Sequence, residues 1–280
     1  MVKKRMKKSV KESNISFIKW FFRVLWTIIK IPYYLVKFIV WIIRKIRVEI
    51  KVNNVEKTRE KIKAEYESFK IIKTLLGDFN SWEDNLKKSD STIGLIIGAR
   101  GSGKSAVGLK LLENLHVKTM KKIYAIGFRS EEMPSWVEVI RDINSVKNDS
   151  FVLVDEGGVL FNSRDSMKSA NKILSELILI SRHKNLSILF ISQNSSNLEV
   201  NILRQADYLI LKPASLLQSE FERKIIQKIY EQTSKGFESY SKYKGLSYIH
   251  SSQFKGFVTN PLPSFWKQSL SKSFSETKVK

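Results

Sequence analysis

The feature that most constrains this chain is the loop Gly98-Ala99-Arg100-Gly101-Ser102-Gly103-Lys104-Ser105, set between an apolar run and an apolar-periodic helix. Thr92 to Ile97 reads as a buried parallel strand, and Ala106 to Leu115 continues with helical spacing. Glycines at 98, 101 and 103 let the backbone turn and approach an anion closely. Successive amide N–H groups and the helix amino terminus then cradle phosphate oxygens. In such a loop the backbone from Gly98 to Ala106 lines the nucleotide, Lys104 reaches the β and γ phosphates, and Ser105 holds Mg2+. The expectation is an α/β fold that binds Mg-ATP.

A second strand pattern, Phe151 to Val154, ends in Asp155 and Glu156. Ligands gather at the carboxyl ends of strands in open α/β sheets, so Asp155 suits an outer-sphere contact to the magnesium. Glu156 suits a general base acting on water. A third strand, Ser187 to Ile191, runs into Ser192-Gln193-Asn194, and Gln193 at its tip is placed to orient water and sense the γ-phosphate. Lys122 to Ile126 and Asp207 to Leu211 complete five strands with helices between them.

The helical pattern from Ala170 to Ser181 ends in Arg182-His183-Lys184-Asn185. Cations suit a helix carboxyl terminus, which is one account of Arg182. An arginine finger reaching a neighbouring subunit's γ-phosphate is the other, with Arg164 and Arg204 as rivals. His116, His183 and His250 are far apart and lack metal-ligand spacing, so His183 reads as a structural residue. The absence of cysteine excludes disulfides and thiolate metal sites.

The net charge of +22 is concentrated at the amino terminus, where residues 1–47 carry thirteen Lys and Arg against the single acid Glu12. Such a field attracts polyanions, either anionic lipid or nucleic acid. Residues 15–43 interleave Trp20, Phe21, Phe22, Trp26, Tyr33, Tyr34, Phe38 and Trp41 with cations, and Arg23, Lys30, Lys37 and Arg44 recur every seven residues as one basic stripe. The longest charge-free run is six residues, whereas a spanning helix wants about 20 apolar ones. An amphipathic helix lying in the cytoplasmic face of a membrane, kinked at Pro32, is the expected form. A helical hairpin, or a helix buried against a partner subunit, is the alternative.

These readings divide the chain into a membrane-associating segment (1–50), a helical connector (51–88), the nucleotide-binding core (89–235) and a carboxyl-terminal extension (236–280). Residues 54–75 are charged and free of Gly and Pro, so they read as a helix ending at Gly77-Asp78. A further helix is expected from Leu216 to Tyr230, and a small hairpin around Tyr248 and Phe257.

The order of the loop, Leu153-Val154-Asp155-Glu156, a helix ending in Arg182-His183, Leu189-Phe190-Ile191-Ser192-Gln193 and Asn201 to Asp207 resembles the FtsK/HerA superfamily over residues 90–215. Within it the chain looks like the zonula occludens toxin-like ATPases of phages and mobile elements. Pro261 to Trp266 followed by Ser269 to Phe274 resembles a tail seen in such proteins. The resemblance implies a RecA-like (ASCE) P-loop NTPase with a parallel sheet, assembled as a hexameric homo-oligomer with active sites at subunit boundaries. It also implies ATP-driven movement of DNA, or virion assembly and export at a membrane through protein partners. A nucleotide-dependent membrane switch with little turnover is the third reading. In the filamentous-phage assembly proteins the membrane segment follows the ATPase, whereas here it precedes it, as in FtsK.

Overall fold

The computed structural model describes residues 34–43, 45, 59, 61–140, 143–156, 166–267 and 269–270, in two units, Met1–Thr58 and Arg59–Lys280. In the first unit residues 34–43 are helical, with Tyr34, Leu35, Phe38 and Trp41 exposed. The rings of Phe38 and Trp41 stack at 5.9 Å. The expected kink at Pro32 and most of the basic aromatic segment lie outside the described residues. Among the described residues no helix is long and apolar enough to cross a membrane.

The second unit is built on one sheet. Its elements in chain order are β1 (Lys70–Gly77), α1 (Phe79–Lys88), β2 (Ile93–Ile97), α2 (Lys104–Thr119), β3 (Lys122–Ile126), β4 (Val137–Val139), β5 (Ser150–Asp155), α3 (Ser166–Lys184), β6 (Leu186–Ser192), α4 (Val200–Gln205), β7 (Tyr208–Leu211), α5 (Leu216–Phe221), α6 (Lys224–Ser239), β8 (Leu246–Ser251) and β9 (Phe254–Thr259). The strand order is β1-β9-β8-β7-β2-β6-β5-β3-β4. From β7 to β4 neighbouring strands are parallel, and the β7–β8, β8–β9 and β1–β9 pairs are antiparallel. The five strands expected from the sequence form the middle of this sheet, and the hairpin expected around Tyr248 and Phe257 forms as β8 and β9.

The parallel strands are apolar without interruption because both faces are covered. On one face Ile93, Leu95, Ile97, Val152, Val154, Ile188 and Phe190 share a core with Leu174 and Leu177 of α3 and Ile226 and Ile229 of α6. On the other, Ile96, Leu153, Leu189 and Ile191 join Val107, Leu111 and Leu115 of α2 and Trp82 and Leu86 of α1. Alternation along each strand thus divides one apolar run between two layers of helices.

The helix expected over residues 54–75 is corrected by the structure: residues 61–69 have no regular secondary structure, and residues 70–77 are the edge strand β1. The cause is tertiary. Polar groups on α2 take up the backbone of this segment. Glu65 N donates to Glu113 Oε1 (3.1 Å), Lys110 Nζ donates to the Glu65 carbonyl (3.0 Å), and Asn114 bonds both the N–H and the carbonyl of Glu67. A helix would spend those backbone groups on itself, whereas the extended segment pairs them with α2 and then continues into the β9 edge. Gly77-Asp78 starts a helix rather than ending one, because Gly77 turns with φ +71° and Asp78 caps α1 by accepting from Ser81 N at 2.8 Å. The helix expected from Leu216 to Tyr230 is two helices, α5 and α6, separated at Glu222 and Arg223.

Candidate nucleotide site

The loop from Gly98 to Gly103 joins the central strand β2 to α2, at the carboxyl edge of the parallel strands. It is stitched to the end of β7: Lys212 N donates to the Ile97 carbonyl (2.8 Å) and Ala99 N to the Pro213 carbonyl (3.1 Å). Gly103 precedes α2 in the left-handed region at φ +91°, a conformation that L side chains rarely adopt. A Cβ at Gly98 would lie 2.5 Å from the Cβ of Lys212, which ties that glycine to its neighbour strand. The first-turn N–H groups of α2 have no partner within the helix, and with the helix dipole they make an anion seat.

Lys104 is buried, and its Nζ donates to the loop carbonyls of Gly98 (2.8 Å) and Ala99 (2.9 Å). Burial lowers its pKa, against the opposing fields of Asp155, Glu156 and Glu222.

Asp155 ends β5 beside Ile191 of β6, and β6 separates it from β2. Even so, Ser105 Oγ donates to Asp155 Oδ2 at 3.1 Å, so residues fifty positions apart in the chain meet at one point. A loop of backbone donors, an inward lysine and a hydroxyl–carboxylate pair together define the core. This chain has a P-loop nucleotide-binding fold. The two oxygens are hard donors of the kind Mg2+ takes in phosphate sites, the hydroxyl directly and the carboxylate through water. Ser105 and Asp155 are the residues that would hold the ion.

Glu156 follows immediately and is buried at 4% exposure. Its Oε2 accepts from Ser192 Oγ at 2.5 Å. Burial raises its pKa above the usual carboxylate range, and hydrogen bonds from Ser192, the Gln193 backbone and the Asn197 side chain partly restore it. Gln193 is exposed at the tip of β6; its N–H serves Glu156, and its carbonyl accepts from Gln218 Nε2 at 2.5 Å. The tip of β6 therefore lies between the phosphate loop and the candidate base.

Arg182 and His183 are exposed at the carboxyl end of α3, which leads into the amino end of β6. β6 is seven residues long, so at ~3.3 Å per residue the strand alone separates Arg182 from the phosphate edge by about 20 Å. The structure does not bring it to its own chain's loop. Arg204, at the end of α4 before β7, lies on the same far edge, and Arg164 lies outside the described residues. His116 is a packing residue: its Nδ1 is 2.9 Å from the Lys121 carbonyl, and its ring stacks on Trp136 at 4.9 Å.

Three further residues of the site escape a reading by motif. Lys212, one position beyond β7, is fully buried against the loop. Glu222 is buried and accepts from Ser195 N at 2.6 Å, and Arg223 Nε donates to the Ser195 carbonyl at 3.0 Å. Together the last two fasten the turn after Gln193 to the junction of α5 and α6. The position of Lys212 at the carboxyl end of an apolar run was a usable signal, since such strand ends face the ligand.

No protein-family model and no curated protein matches this sequence. Among solved structures, the chain is similar to the DNA-packaging ATPase from Sulfolobus turreted icosahedral virus, at 16% identity and a TM-score of 0.40 over 62% of this chain and 98% of that one. It is similar to the pCW3 conjugation coupling protein TcpA with ATPγS at 15% identity, TM-score 0.43, over 62% and 60%. The cytoplasmic domain of the Thermomonospora curvata type VII secretion ATPase EccC gives 14% identity and a TM-score of 0.39 over 68% and 28%.

Proposed function

We propose that this chain hydrolyses ATP at the loop-Asp155-Glu156 site and uses the turnover to translocate or package DNA at a membrane. The observation that carries the reading is the Ser105–Asp155 contact at 3.1 Å with Glu156 buried beside it. Bound Mg2+ would neutralise developing phosphate charge. Lys104 leaves the Gly98 and Ala99 carbonyls for the β and γ phosphates, and the N–H groups at the start of α2 hold the same oxygens. Glu156 accepts the proton of the attacking water, its raised pKa making it a better base than an exposed carboxylate. Ser192 and Gln193 position that carboxylate, so a phosphate that moves the tip of β6 changes the base as well.

DNA as cargo is supported by the basic charge and by the motif order shared with the FtsK/HerA superfamily. Membrane association is supported by the exposed aromatic and aliphatic side chains of residues 34–43 beside cationic residues. A homo-oligomeric ring is the assembly in which Arg182, remote from its own loop, could serve a neighbour's γ-phosphate. ATP turnover by the full chain, with and without DNA and with anionic liposomes, tests the reading. Salt-dependent stimulation by DNA is expected, and turnover indifferent to DNA would turn the reading to virion-assembly or export partners. Glu156→Gln is expected to keep ATP while turnover falls ~10²–10⁴-fold; undiminished turnover in the variant would exclude Glu156 as the base, and a wild type that binds ATP with little turnover would leave the membrane switch.

A further inference from the structure

Lys212 is a buried lysine packed against the loop. Its Nζ donates to the Gly245 carbonyl and to Ser247 Oγ, both at 3.0 Å. A Cβ placed on Gly103 would lie 3.6 Å from its Cε and 3.8 Å from its Nζ. Both acceptors are uncharged, and two acceptors match the two N–H bonds of a neutral amine. Protonation adds a third N–H, and an ammonium at this place would face Lys104, another cation, across the loop.

We propose that Lys212 is a second cation of the phosphate site, neutral while the loop is empty and protonated when a polyphosphate fills it, so that nucleotide binding takes one proton from solvent. The proposal rests on the nucleotide reading of the loop. Burial, with the charge of Lys104 beside it, pushes the Lys212 amine down to about 7. Of the ionisable groups around it, the two phenols keep their protons. The Tyr230 hydroxyl lies 3.1 Å from the Lys212 carbonyl, Tyr248 lies on the adjacent β8, and burial raises both phenols. Glu222 acts on Lys104 and Tyr230. A phosphate charge on the order of 8 Å away raises an amine's pKa by about 1.5 at an effective dielectric constant of about 20. A diphosphate therefore carries Lys212 well above pH 8.

The test is calorimetric titration of the full chain with Mg-ADP at pH 8, in two buffers of different ionisation enthalpy. At that pH the nucleotide's own phosphates are ionised and add little. The wild type is expected to take up between about half and one proton per ADP. Lys212→Met is expected to bind about tenfold more weakly and without that uptake. Lys212→Arg, charged in both states, serves if the Met variant does not fold, and is expected to bind without uptake. Glu156→Gln is expected to leave the uptake intact, which separates Lys212 from the buried carboxylate. Zero uptake by the wild type, or undiminished uptake in the Lys212 variants, overturns the proposal while ADP binding upholds the nucleotide site. A wild type that binds no Mg-ADP overturns both.

Discussion

Replacing Lys110 by Met tests the reason that residues 61–69 are extended rather than helical. Lys110 and Glu113 form an ion pair at 2.9 Å on α2, with side-chain exposures of 1% and 0%. The same carboxylate accepts from Glu65 N and from Ser264 N at 3.1 Å, so one charge holds both the incoming segment and the carboxyl-terminal tail. Removing the ammonium leaves a buried carboxylate without its counter-charge, a change that costs ~3–5 kcal/mol. The remaining donors from Glu65 and Ser264 favour the lower end, about 3 kcal/mol. At ~2–4 °C per kcal/mol for a domain of this size, the melting temperature should drop by about 6–12 °C. Urea unfolding of the full chain followed by tryptophan fluorescence reads the change, since Trp82 and Trp136 lie in this unit. Lys172→Met is the control, because its pair with Glu176 is at 3.8 Å and both side chains are exposed. That variant should move stability by less than ~0.5 kcal/mol. If Lys110→Met costs less than ~1 kcal/mol, the buried pair does not hold the strap, and the account of this segment is wrong.

Ser192→Ala removes a hydrogen bond that stabilises the ionised form of Glu156, so its pKa should rise further. The acidic limb of the ATPase pH profile then moves to higher pH, and an unmoved limb would exclude Glu156 as the base that limits turnover. Gly94→Ala would place a methyl within the ring of Tyr208; overpacking of this kind costs ~1–3 kcal/mol, readable as a lower urea midpoint, and an unchanged midpoint would contradict the packing. In the empty chain Lys212 is held to about 7 against an ordinary value of 10.5, so unfolding takes up a proton between those values. The unfolded state binds more protons there, so stability of the nucleotide-free protein should rise with pH from 7 to 9, by up to about 1.4 kcal/mol per unit. Lys212→Met should flatten that profile, and a flat wild-type profile would show the amine charged in the empty site.

The site was legible where chemistry is local. A glycine loop between strand and helix states its own conformation, and Asp155-Glu156 at the end of an apolar run announces a carboxyl edge. That Ser105 and Asp155 serve one magnesium is an expectation from the loop and the strand end, and their direct contact comes from the sheet, which places only β6 between their strands. Glu222 and Arg223 were invisible because they act through the backbone of Ser195, and no motif marks a carboxylate that caps a turn in another segment. Lys212 is not legible in the sequence because its place at the loop depends on burial, which a lysine's charge argues against.

What the sequence by itself determined is the parallel middle of the sheet, the phosphate loop and the carboxylate strand, since buried strands and glycine turns are dictated by residues a few positions apart. What only the tertiary structure decided is the fate of residues 61–77 and the state of the cations around the loop. Residues 54–75 satisfy every local rule for a helix, yet the polar face of α2 and the open edge of β9 give the backbone of residues 61–77 partners that local periodicity cannot register. Likewise an amine's charge depends on how far other elements remove it from water, a quantity set when the chain closes around it.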